Sequence, residues 1–202
     1  MKTKFKRLLQ WSGLGLLTLV LAVGGYVLYL LATDNFHAVV AGQVYRSGQM
    51  NGKTLTRVIH ERGIQSVVNL RGGGGQDDWY REETNTTHQL GVSHYDFALS
   101  AGREVSDAEI EDIMATLRQA QKPVLIHCNG GADRTALISA IYLYTTQGET
   151  AAEASRALNP FYGHIPHLHW RYAIAMDRSY WRYVSNHTAQ AEMKIQTAPV
   201  SP

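Results

Sequence analysis

Pro123-Val124-Leu125-Ile126-His127-Cys128-Asn129-Gly130-Gly131-Ala132-Asp133-Arg134-Thr135 decides the reading of this 202-residue chain, whose only cysteine is Cys128. The apolar, β-branched-rich run after Pro123 suits a short strand buried on both faces. Two glycines then permit a tight turn, and Thr135-Ala136-Leu137-Ile138-Ser139-Ala140-Ile141-Tyr142-Leu143 has the composition and length of a core helix. The expected geometry is strand, loop, helix. In it, the amides from Asn129 to Arg134 converge at a helix N-terminus, where unpaired N–H groups and the helix dipole favour an anion. Cys128 lies at the same point, and a helix end and a guanidinium beside it favour the nucleophilic thiolate. Arg134 offers paired planar donors to two oxygens of a phosphoryl group, a geometry that lysine does not match. Thr135 can donate its hydroxyl to the sulfur as it leaves.

Cys-x5-Arg-Thr preceded by His resembles the signature of the cysteine-dependent protein tyrosine and dual-specificity phosphatases. The likeness extends upstream through Val44-Tyr45-Arg46-Ser47-Gly48-Gln49 and Gly63-Ile64-Gln65-Ser66-Val67-Val68-Asn69-Leu70-Arg71, which look like the opening strands of small atypical members of that superfamily. The resemblance implies a phosphatase working through a phosphocysteine, with Cys128 as nucleophile, and with Asn129, Gly130, Gly131, Ala132, Asp133, Arg134 and Thr135 around the phosphate. It implies no metal or other cofactor. A general acid is also required. Asp96 is the first choice, since it ends an expected strand 32 residues before the cysteine, a separation similar to that in dual-specificity phosphatases. Glu104 and Asp107 are the alternatives, although Asp107 belongs to a capping box, Ser106-Asp107-Ala108-Glu109. Arg71 follows the end of a parallel strand, where ligands bind in open α/β sheets, and is assigned to the substrate side. Asp133 would repel a dianion if it faced inward, so its carboxylate is expected to turn away toward the loop or Arg134.

Outward from this core, helical and strand patterns alternate. Leu55, Val58 and Ile59 with Gly63 as a stop mark a helix, Gln65–Leu70 a strand, Trp79–Leu90 a helix and Val92–Phe97 a strand. Ile110, Ile113, Met114 and Leu117 form one apolar helix face. Glu149–Leu158 and His167–Val184 complete the helices. The fold class is therefore α/β, a central, mainly parallel sheet flanked by helices. His164, His167 and His169 lie within six residues, but no neighbouring Cys, Asp or Glu completes a metal-ligand set, so they are read as a loop lining the pocket rim, with His164 facing it.

The ends carry separate signals. Residues 11–32 hold no charge, and as a helix they span about 33 Å against a hydrocarbon core of about 30 Å. Lys2, Lys4, Lys6 and Arg7 precede the stretch and Asp34 follows it, which makes 11–32 a transmembrane anchor with residues 1–10 in the cytoplasm and everything after Ala32 outside it, in the periplasm if the cell is Gram-negative. A cleaved signal peptide, cut near Ala22-Val23-Gly24, is the competing reading. Residues 38–185 then form one catalytic domain and 186–202 a disordered tail. The formal net charge of +2 comes mostly from the N-terminal flank and gives no support to nucleic acid as a partner. A single cysteine excludes an internal disulfide. The expected partners are the membrane and a phosphorylated protein or small phosphoester, with a lipid phosphate also open. Two other classes share the loop: a phosphate-binding module without turnover, and a rhodanese-like sulfurtransferase.

Overall fold

The computed structural model describes residues 2–167 and 173–197. It divides into two compact units, 1–33 and 34–202. The first is a single helix, α1 (Lys2–Ala32), whose stretch Gln10–Ala32 is long and apolar enough to cross a membrane, with a mean hydropathy of 2.2 and none of it buried.

In the second unit the order is β1 (His37–Val40), β2 (Val44–Ser47), α2 (Gly52–Arg62), β3 (Ser66–Asn69), α3 (Asp78–Gln89), β4 (Ser93–Asp96), α4 (Asp107–Gln119), β5 (Val124–His127), α5 (Arg134–Thr146), α6 (Ala151–Ala154) and α7 (Ile174–Thr197). The strands lie in the order β1-β2-β5-β3-β4, with only β1 antiparallel to its neighbour. The expected mainly parallel sheet is therefore present. Successive strand residues face opposite sides, so Val44, Val68, Val124 and Ile126 enter a core with α4, α5 and α7, while Tyr45, Val67 and Leu125 pack with Leu55, Val58 and Ile59 of α2. That burial on both faces explains why β5 reads as an unbroken apolar run. Gly63 closes α2 in the left-handed conformation, and Ser106 and Glu109 form the capping box that opens α4.

Two readings need correction. The helix expected over Glu149–Leu158 is only the short α6 followed by a 3₁₀ turn, Ser155–Ala157, because Pro160 disfavours a helical residue before it. The tail expected to be disordered from 186 continues α7 to Thr197. Its Ala, Gln, Glu, Met and Lys residues are strong helix formers, and His187 stacks on Tyr183 at 4.0 Å and pairs with Glu111 at 3.2 Å. The tail beyond Thr197, the expected start of the last helix at 168–172 and His169 lie outside the described residues.

Candidate active site

β5 delivers His127 and Cys128 to the C-terminal edge of the sheet, and α5 begins six residues after the cysteine. Cys128 is 2% exposed. Three carbonyls of the intervening loop are held from outside: Gln49 N–H donates to Asn129 O at 3.0 Å, Asn35 Nδ2 to Gly130 O at 3.0 Å and Arg46 Nη2 to Gly131 O at 2.8 Å. In a trans peptide the N–H points opposite to the preceding C=O. Fixing these carbonyls outward therefore turns the amides of Gly130, Gly131 and Ala132 to the inner side of the loop. Gly131 has a positive φ of 67°, and a Cβ there would come within 2.5 Å of the Ser47 carbonyl carbon, so only glycine fits.

Part of the donor set suited to an anion has no partner among the described residues. Arg134 Nη1 donates to Leu99 O at 3.0 Å, while Arg134 Nε is buried with no partner among the described residues. Thr135 Oγ1 is likewise buried without a partner there. Asp133, at the N-cap position of α5, makes no capping bond and leaves the first-turn amides uncapped by a side chain. Its carboxylate pairs with His164 rather than with the loop or Arg134.

That contact corrects the reading of His164. It is 1% exposed rather than on a rim, with Nδ1 2.7 Å from Asp133 and Nε2 3.1 Å from Asp177. Burial disfavours the imidazolium, but bonds and attraction to both carboxylates outweigh this and raise it to about 9. Both ring nitrogens are thus engaged by carboxylates.

Arg46 is a buried cation beneath the loop. Besides Gly131 it binds Ala157 O at 3.0 Å and lies 4.2 Å from the Tyr162 ring centre. Burial pushes it down to about 10 against the fields of Tyr162, Cys128 and Asp133, so it stays charged at neutral pH. Beside His127, Glu83 of α3 is 3% exposed and receives Gln49 Nε2 at 2.6 Å, with His94 Nε2 at 2.8 Å and His127 Nε2 at 3.1 Å from its Oε1. Burial acts to raise the Glu83 carboxyl, but hydrogen bonds from His127 and His94, the attraction of His127 and the Gln49 bond hold it down at about 2. Sequence reasoning assigned nothing to Asn35, Glu83 or His94. Arg46 entered it only as part of a strand motif.

Register brings Asn69, Asp96 and His127 into one row, with β3 between β4 and β5. Asp96 thus ends its strand about 10 Å, two strand spacings, from the end of β5. Its oxygens accept from Asn69 Nδ2 at 2.8 Å and Tyr80 Oη at 2.6 Å. The Tyr80 bond to Asp96, with lesser contributions from burial and the charges of Asp96 and Glu83, raises the phenol to about 12. Glu104 and Asp107 are engaged elsewhere, both by Arg182 of α7, at 2.7 and 3.2 Å. Arg71 stands at the end of β3 with its guanidinium 3.9 Å from the Trp79 ring centre, a stacked position on the same edge of the sheet as the loop.

The family PTP-SAK, described as "Swiss Army Knife protein, DSP-PTPase phosphatase domain", matches residues 34–195. A search of curated proteins returns no match. Among solved structures, the chain is similar to TpbA of P. aeruginosa, with 23% identity over 76% of this chain and 92% of that one and a TM-score of 0.57. It is also similar to the core catalytic domain of the PP-IP phosphatase SIW14 of S. cerevisiae, with 18% identity over 84% and 97% and a TM-score of 0.58. PTPMT1 aligns at 15% identity over 78% and 99%, with a TM-score of 0.56. At such identities the structures show a shared fold, and the family match adds the domain type: the chain belongs to the PTP-SAK family of dual-specificity and protein tyrosine phosphatase domains.

Proposed function

We propose that the protein is a membrane-anchored phosphatase that hydrolyses phosphomonoesters through a phosphocysteine. The observation that carries this reading is the loop itself: outward-braced carbonyls, inward amides and the buried Nε of Arg134, without a partner among the described residues, form a charge-complementary cradle beside Cys128. The Cys128 thiolate attacks phosphorus in line, forming the S–P bond as the P–O bond to the leaving alcohol or phenol breaks. Asp96 supplies the proton to that oxygen. Water then attacks phosphorus, passing its proton to Asp96, and the S–P bond breaks with release of phosphate and the thiolate. Amides 129–134 and Arg134 hold the equatorial oxygens throughout, and Thr135 donates to the departing sulfur. Arg71 contributes positive potential at the edge. A phosphorylated protein or a small phosphoester suits this chemistry; one solved TpbA structure is a complex with pTyr.

The test is hydrolysis of p-nitrophenyl phosphate by the full chain in detergent with EDTA. Cys128→Ser should abolish turnover, and Arg134→Ala should lower kcat/KM by about 10²–10³-fold. Asp96→Asn should lower kcat by about 10²-fold or more and remove the decline in rate at high pH. Turnover that survives Cys128→Ser would overturn the mechanism. Vanadate binding without turnover by the wild type would favour the binding module.

A further inference from the structure

A cavity of about 340 Å³ lies on the outer side of the phosphate loop, the side of the Gly131 carbonyl, and Arg46 is shared between the two. That volume is at the small end of ligand pockets, which run from about 300 to 1,000 Å³. Its walls come from β1, β2, α5 and the segment from α6 to Tyr162, and none of residues 129–134 lines it, so it is separate from the anion cradle. Ala38, Val39, Leu143 and Ala157 give it apolar surface. Glu149 and Arg156 also line it, and neither makes an ion pair among the described residues.

Two of its lining residues hold donors that the fold leaves over. Arg46 is 1% exposed and has no carboxylate partner among the described residues. Its Nη1 and Nη2 donate to Ala157 O and Gly131 O at 3.0 and 2.8 Å, while its Nε has no partner there. Ser139, in the middle of α5, is fully buried. Ser179 of α7 is equally buried and satisfies its hydroxyl on Ala175 O at 2.7 Å, but Ser139 Oγ has no partner among the described residues. Buried donors without acceptors cost stability, and a buried guanidinium without an anion costs more.

We propose that this cavity binds a small carboxylate, whose two oxygens accept from Arg46 Nε and Ser139 Oγ and whose aliphatic body lies along Val39 and Leu143. Two donors remain, one for each oxygen of a planar monoanion; a phosphoryl dianion would leave a third oxygen unpaired against apolar walls. Occupancy reaches the catalytic loop through one side chain. A carboxylate on Nε holds the guanidinium as it stands when Nη2 braces Gly131 O, and so favours the anion-ready loop, a coupling that rests on the phosphatase reading above. By linkage, an anion in the loop tightens the carboxylate by the same factor.

The full chain in detergent should be titrated calorimetrically with sodium butyrate, succinate and 4-aminobutyrate at fixed ionic strength, with and without saturating vanadate. At least one should bind with a Kd of about 1 mM or below, and vanadate should not displace it. Tighter binding of succinate than of butyrate would assign Arg156 to a second carboxylate, and tighter binding of 4-aminobutyrate would assign Glu149 to the ammonium. Vanadate should bind about five-fold tighter when the carboxylate is saturating. Ser139→Ala should weaken the carboxylate about ten-fold, and Ala38→Trp, which fills the cavity from an exposed position, should abolish its binding. Both variants should keep the wild-type circular dichroism and, without carboxylate, the wild-type kcat/KM on p-nitrophenyl phosphate. No saturable binding of the three probes, binding displaced by vanadate, or binding unchanged in both variants would overturn the site. An unchanged vanadate affinity would overturn the coupling alone. A wild type that binds the carboxylate but neither binds vanadate nor hydrolyses p-nitrophenyl phosphate would overturn the phosphatase reading and leave the site standing.

Discussion

At the scale of single residues, the loop owes its shape to groups that never need to touch a phosphate. Gly131 meets two demands at once, a left-handed backbone and space against Ser47 and Gly48. Gly131→Ala should therefore lower kcat/KM on p-nitrophenyl phosphate by about 10²-fold, the cost of displacing a reacting group by about an ångström. Gly130, where an added Cβ meets nothing within 4 Å, provides the contrast: Gly130→Ala should stay close to wild type. Glu83 gives a pH signature. Its carboxyl lies near 2 in the folded protein against an ordinary value of 4.5, so its contribution is present above about pH 4.5 and is lost as pH falls toward 2. The shift corresponds to roughly 3 kcal/mol, spread over the cluster it forms with His127, His94 and Gln49. Thermal unfolding between pH 2 and 7 should show a falling Tm in the wild type and a flatter dependence in Glu83→Gln, which should also be less stable at pH 7.

At the scale of elements, the contacts that complete the site join segments far apart in the chain. α5 carries Arg134 and Thr135, and its N-cap residue Asp133 is fastened through His164 to Asp177 in α7. The ordinary imidazole value of 6.5 is raised to about 9 in this clasp. Its stabilisation is therefore full below about pH 6.5 and disappears as pH rises through 9. Wild-type Tm should fall across that window by the equivalent of roughly 1–3 kcal/mol, and His164→Asn should remove the slope. An equal slope in the variant would place the titration elsewhere. The same helix α7 engages Glu104 and Asp107 through Arg182. Glu83 of α3, beneath His127, ties that helix to β5 in the same way.

At the scale of the whole molecule, one apolar helix precedes one α/β unit. If α1 is an uncleaved anchor, the full chain should remain with membranes after alkaline carbonate, at the mass of a polypeptide beginning before residue 11. A soluble product starting near residue 25 would show cleavage. Alkaline phosphatase fused after Pro202 should be active if the domain is outside the cytoplasm. The sequence by itself determined the strand–loop–helix around Cys128, the alternation that makes the sheet mainly parallel, the capping box at Ser106 and the apolar stretch before Thr33. These are encoded locally, by period, by glycine and by side chains three or four residues apart. Tertiary structure alone decided that Asn35, Arg46 and Gln49 hold the loop carbonyls outward, that Glu83 lies beneath His127 and that His164 faces carboxylates instead of a rim. In those contacts the partners are separated by 13 to 95 residues, and no spacing rule links them. The length of α7 escaped the sequence reading because its last turns are polar, so their helicity follows from propensity and from the packing of His187 on Tyr183 rather than from an apolar stripe.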